Sequence, residues 1–174
     1  MLRQNWIDAK YWESIRPETI EVPWLEHKIP PPIVGLLVAA LMSASTGVSP
    51  ALQVEARLRV LVALGFSFAG LAVMLSGVMA FRRARTTVNP LNPEAATALV
   101  IVGVYRYTRN PMYVGLATML VGWAVYLAAP LALLGPPIFV LFIARFQIVP
   151  EERALAEKFG REFADYRKKV RRWL

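Results

Sequence analysis

The sequence predicts an all-α, polytopic membrane protein with about four transmembrane helices, and two observations predict it. The first is patterning: residues 33–48, 60–81 and 112–144 carry no charged side chain at all. Soluble domains space their apolar residues at helical or strand periods, whereas a bilayer-spanning helix needs an unbroken run of ~20. The second is bulk composition. The 174 residues are 56% hydrophobic, with a mean hydropathy of +0.43, well above the range of a soluble domain of this length.

Each element follows in chain order. Residues 1–30 form a polar segment whose Trp6, Tyr11, Trp12 and Trp24 suit the membrane interface, and it has no apolar core of a signal peptide. Pro30-Pro31-Pro32 opens the first span, about 31–48, and the second runs about 58–81. The third runs about 112–129 and the fourth about 131–149, with Gly135-Pro136-Pro137 predicting a bent or late start. Pro130 with Gly135 permits a tight reversal between these two, so they form a helical hairpin. Residues 31–149 thus make the bundle, and 150–174 an amphipathic C-terminal helix. In that tail Leu155, Phe159, Phe163, Tyr166, Val170 and Trp173 recur at spacings of three and four, one apolar stripe against a charged face.

The cations orient the chain. Arg82, Arg83, Arg85, Arg106 and Arg109 lie between the second and third spans, and the tail is basic throughout. The turn near 128–136 has no cation, and the 47–57 loop has only Arg57 at its edge. Both termini and the 82–111 loop are therefore expected in the cytoplasm, in a membrane such as the bacterial inner membrane. The net charge of +8 reports this topology and contact with anionic lipid, not nucleic acid.

Much chemistry is excluded. There is no cysteine, and His27 is the lone histidine, so thiolate or histidine metal sites and Ser-His-Asp catalysis are not expected. No G-x-G-x-x-G or P-loop occurs. What remains collects at one face. A hairpin from Met112 to Val149 leaves and re-enters the same membrane surface, bringing "YRYTRNPMYVG" (105–115) beside "VPEERAL" (149–155). Glu151 and Glu152 after Pro150 suit a helix N-terminus, or a cationic group or ribose hydroxyls. Arg145 and Gln147 fall in the last turns of the fourth span, where a guanidinium usually faces a cavity or snorkels outward. Tyr105, Tyr107 and Tyr113 fit either interfacial anchors or a pocket wall; Asn110-Pro111 fits a helix start, and Gly115 close helix packing.

"TRNPMYVG" (108–115) and "RFQIVPEERALAEKFGREFADYRKKVRRW" (145–173) together resemble the isoprenylcysteine carboxyl methyltransferase and phospholipid methyltransferase superfamily. The likeness rests on Arg109, Asn110, Pro111, Tyr113 and Gly115, then Glu151, Glu152, Leu155, Phe159, Gly160, Phe163, Tyr166 and Val170. It implies an integral membrane methyltransferase that uses S-adenosylmethionine, with the tail helix closing the cofactor pocket and a hydrophobic acceptor arriving from the bilayer. It further implies that Tyr107, Arg109, Asn110, Pro111, Tyr113, Gly115 and Gln147 line the cofactor. Glu151 and Glu152 would hold its ribose or amino-acid end, and Phe159, Phe163 and Tyr166 its adenine side. Arg145, Glu151 and Arg109 are the expected catalytic set, and no metal is implied. Asn110 replaces the histidine usual in the prenylcysteine enzymes, which leaves the acceptor open among a prenylcysteine carboxylate, a phospholipid amine and a thiol. Related sterol reductases share the hairpin and tail but use NADPH, so a membrane reductase is one alternative; a non-catalytic membrane scaffold is another.

Overall fold

The computed structural model describes residues 29–48, 52–84 and 98–174. The expected N-terminal interfacial segment with His27, and the part of the 82–111 loop containing Arg85, lie outside them. Among the described residues there are five α-helices and no strand: α1 (Pro31–Ser45), α2 (Ala56–Arg83), α3 (Pro111–Leu127), α4 (Gly135–Ile143) and α5 (Val149–Lys169). Short 3-10 turns occupy Gly103–Arg106 and Pro130–Leu134, and a π turn, Ala144–Ile148, joins α4 to α5.

Local chemistry sets the helix ends. Pro31 and Pro111 open α1 and α3 at a position where the missing N–H would have no partner anyway. The Glu55 carboxylate caps α2, accepting from the amides of Arg57 at 3.0 Å and Leu58 at 2.7 Å, while Arg82 and Arg83 complement its negative end. The first span is shorter than the sequence predicts, ending at Ser45. The hydroxyls of Ser45 and Thr46 bond back to the carbonyls of Met42 and Ser43, at 2.6 and 2.7 Å, as the helix closes.

Two helical stretches, Ala56–Arg83 and Pro130–Lys169, are long and apolar enough to cross a membrane; α1 and α3 are shorter apolar helices. The 28 residues of α2 extend ~42 Å, against ~30 Å of bilayer hydrocarbon. Leu36, Leu41, Leu61, Phe68 and Leu141 all point outward and are exposed. An apolar surface this extensive is one that lipid, not water, covers.

Small residues bring α2 and α3 into backbone contact. A Cβ on Gly70 would lie 2.5 Å from the Gly115 carbonyl, and one on Gly122 would lie 2.8 Å from that of Ala63. A Cβ on Gly77 would meet side chains instead, 3.1 Å from Pro111 Cγ. Ala63, Gly70 and Gly77 recur every seven residues, so one line of α2 faces one line of an antiparallel α3. The main core lies on the other side of α3. There Val38 and Met42 of α1, Leu120 of α3, and Phe139, Ile143 and Ile148 pack together and are buried.

The reversal between α3 and α4 differs from expectation. Ala128, not a glycine, takes the left-handed conformation (φ 50°), and Pro130–Leu134 completes the turn. Gly135 serves packing instead: a Cβ there would fall 2.2 Å from the Met42 sulfur. The tail forms α5, which continues from α4 through the π turn and breaks at Gly160 (φ 47°, ψ −118°).

These connections sort the molecule into two ends. At one, the Leu52 amide donates to the Ala128 carbonyl at 2.7 Å, joining the α1–α2 loop to the α3–α4 turn. At the other, the Gln147 amide nitrogen donates to the Ile29 carbonyl at 2.8 Å, and Phe81 at the end of α2 meets the Tyr105 ring edge-on at 5.4 Å.

Candidate active site

The second end carries the polar cluster. Asn110 caps α3 in position only, its side chain being used elsewhere, and Tyr113 lies on the first turn of that helix facing α5. Tyr113 donates its hydroxyl hydrogen to Glu151 Oε1. Beside this pair, Glu152 is held between two arginines. Arg109 Nη2 lies 3.1 Å from its Oε1, and Arg172 donates through Nε and Nη2 at 3.2 and 2.6 Å. Adjacent carboxylates thus have different neighbours, a phenol for Glu151 and two guanidinium groups for Glu152.

Electrostatics follow those neighbours. Glu151 stands just past the apolar run that ends at Val149, and burial pushes its carboxyl up to about 8. The Tyr113 hydrogen bond opposes that rise, and the Glu152 charge adds to it. Burial pulls Arg109 below the ordinary guanidinium value, while Glu152 draws it back up. Arg109 Nε and Nη1 are buried and have no hydrogen-bond partner among the described residues. Shielded donors of this kind are unfavourable unless an acceptor reaches them.

The chain's own C-terminus closes over the motif. After Gly160 redirects α5, Phe163 and Tyr166 are buried, and the Tyr166 hydroxyl donates to the Tyr105 carbonyl at 2.7 Å. Val170 is extended, and the following residues run back across the start of α3. The Arg109 amide donates to the Arg171 carbonyl at 3.0 Å; the Asn110 side chain and the Thr108 hydroxyl donate to the Arg172 carbonyl at 2.9 and 3.3 Å.

Of the residues singled out from the sequence, Arg109, Asn110, Pro111, Tyr113, Glu151 and Glu152 come together here; Tyr166 bonds to nearby Tyr105, and Phe163 is buried against Tyr166. Phe159 is partly buried one residue before the break in α5. Gln147 is fully buried in the π turn, its amide nitrogen on the Ile29 carbonyl and its Oε1 without a partner among the described residues. Arg145, in the same turn, is partly buried with its guanidinium 5.4 Å from the Phe146 ring centre. Two residues stand apart. Tyr107 is 75% exposed, and Gly115 is buried in the α2–α3 seam. Arg172 is the participant the sequence did not single out; inside "RKKVRRW" nothing distinguishes it from its basic neighbours.

A bundle of apolar helices with an acid–phenol pair and buried guanidinium donors at one end defines the class: a helical membrane protein with a polar cluster at one end. The phospholipid methyltransferase family model matches residues 58–162, from the first turn of α2 to just beyond Gly160. The chain therefore belongs to the phospholipid methyltransferase family. A probable protein-S-isoprenylcysteine O-methyltransferase of Oryza sativa subsp. indica is 36% identical over 114 residues, 64% of this chain and 56% of the rice protein. The protein-S-isoprenylcysteine O-methyltransferase of Saccharomyces cerevisiae is 35% identical over 80 residues, covering 44% of this chain and 32% of the yeast protein. An uncharacterized protein of Haemophilus influenzae is 49% identical over 63 residues, 36% of this chain and all of that shorter protein. The chain spans about half the length of the rice relative. No solved structure matches it.

Proposed function

We propose that this protein transfers a methyl group from S-adenosylmethionine to a lipophilic, membrane-borne acceptor. The observation that carries the reading is the Tyr113–Glu151 pair with Arg109, whose Nε and Nη1 are buried without acceptors among the described residues. The donor set fits that cosubstrate. A carboxylate on its amino-acid end would satisfy the Arg109 donors, and Glu151 offers its second oxygen to an ammonium or to ribose hydroxyls. Phe159, Phe163 and Tyr166 supply aromatic surface for a base, and the C-terminal residues that cross Arg109 and Asn110 exclude water.

When bound, S-adenosylmethionine supplies an electrophilic methyl on a sulfonium whose charge is lost on transfer. The protein's work is then largely to position the reactants and keep them dry. An amine acceptor must lose a proton before or during transfer, whereas a carboxylate or thiolate acceptor needs no base. Arg145, partly buried at the end of the apolar run, is assigned to an anionic part of the acceptor. A groove of 580 Å³ between α1, α2 and α3 supports an acceptor with a hydrocarbon tail. It is lined by Leu36, Leu64, Met119 and Trp123 and reaches Leu116, three residues along α3 from Tyr113.

Membrane lipid extract incubated with the purified protein and methyl-labelled S-adenosylmethionine, followed by mass spectrometry of the lipid phase, tests this function. One lipid product gaining the label with wild type, and losing it with Glu151→Gln, is the expected result. A product that forms only with NADPH, or no labelled lipid at all, contradicts it.

A further inference from the structure

At the end of the bundle away from Glu151, Arg59 sits in the first turn of α2 and lines a second cavity of 260 Å³. The rest of that cavity is apolar, with Leu58 and Val62 on one side and Val125 and Leu133 on the other. Among the described residues the Arg59 side chain makes one long contact, from Nη1 to the Tyr126 carbonyl at 3.4 Å, at the last turn of α3. Its Nε is buried and has no hydrogen-bond partner among the described residues. The nearby Glu55 carboxylate is already committed to the amides of Arg57 and Leu58 at the start of α2.

A shielded guanidinium donor above an apolar slot fits an amphiphile: an oxyanion for the nitrogen, a hydrocarbon chain for the walls. With α2 read as a span, Arg59 lies at the bilayer–water boundary, where lipid phosphates sit. We propose that this cavity binds an anionic phospholipid, with its phosphate on Arg59 and one acyl chain along Leu58, Val62 and Leu133. The lipid is not the methyl acceptor, because the 17 residues of α3, ~25 Å, separate it from Tyr113. A free phosphate would leave the apolar walls unused.

Native mass spectrometry of the full chain, released from detergent and titrated with phosphatidylglycerol or phosphatidylcholine of equal chain length, tests the site. Wild type should retain phosphatidylglycerol in preference. Arg59→Gln should weaken that binding about tenfold, the scale of one charge-assisted hydrogen bond, and erase the preference. Val62→Trp, which fills the slot without touching the arginine, should weaken both lipids, and methyl transfer at the far end should be unchanged in either variant. Equal binding of the two lipids overturns the proposal, as does displacement of phosphatidylglycerol by inorganic phosphate alone. Unchanged lipid binding in Arg59→Gln, with only a lower melting temperature, would reduce Arg59 to a cap on α3.

Discussion

Glu151 and Glu152 are neighbours in sequence with opposite roles, and their partners decide which is which. Glu152 neutralises part of a pair of guanidinium groups, so Glu152→Gln leaves Arg109 and Arg172 facing each other across an uncharged amide. Breaking a largely buried ion pair in this way costs on the order of 3 kcal/mol. The expected outcome is a clear fall in the melting temperature of the detergent-purified variant. Glu151→Gln keeps the bond from Tyr113 and should leave the protein folded while weakening S-adenosylmethionine binding. The pH dependence has a definite sign. Folding raises the Glu151 carboxyl from 4.5 to about 8, so the folded state holds a proton that the unfolded chain releases. The resulting stabilisation is complete below about 4.5 and is lost as pH rises through about 8. Melting curves across that window should show a downward slope in wild type that Glu151→Gln removes. The sequence made the two glutamates and the Arg109–Tyr113 stretch legible because polar residues at the edge of an apolar run are conspicuous. Arg172 was not legible, since its selection over Arg171 depends on a chain reversal after Val170 that leaves no compositional mark.

At the scale of elements, the α2–α3 seam and the break in α5 position the site. Gly70→Ala would set a Cβ 2.5 Å from the Gly115 carbonyl, and backbone cannot yield cheaply. A loss of about 1–3 kcal/mol, typical of overpacking, is expected in denaturant melts. Gly65→Ala, with nothing within 4 Å, is the control and should be neutral or slightly stabilising through helix propensity. Gly160 has φ 47°, so Gly160→Ala meets no neighbour but strains the backbone by about 1–3 kcal/mol. Because Tyr166 lies beyond that break, activity should fall more steeply than stability as its bond to the Tyr105 carbonyl is lost. The helices themselves were readable from uncharged runs and prolines. The π turn was not, because a one-residue shift in hydrogen bonding follows from how Gln147 and Ile148 pack, not from residue preference. Ala128 at φ 50° escaped notice for a similar reason: packing holds an alanine where propensity favours glycine.

For the whole molecule, we propose four crossings, with α1 and α3 as short spans, and from the cation distribution we propose that the site faces the cytoplasm. A reporter fused after Leu174 should then be cytoplasmic, and one inserted at 131–134 periplasmic; the reverse pattern would invert the site's location. The central claim is that the Arg109–Tyr113–Glu151 cluster holds S-adenosylmethionine, and calorimetric titration of the purified protein with S-adenosylhomocysteine tests it most directly. Saturable binding by wild type is expected, at least tenfold weaker in a folded Glu151→Gln variant, with no heat from NADPH. Binding of NADPH alone, or equal affinity for S-adenosylhomocysteine in the variant, would contradict it.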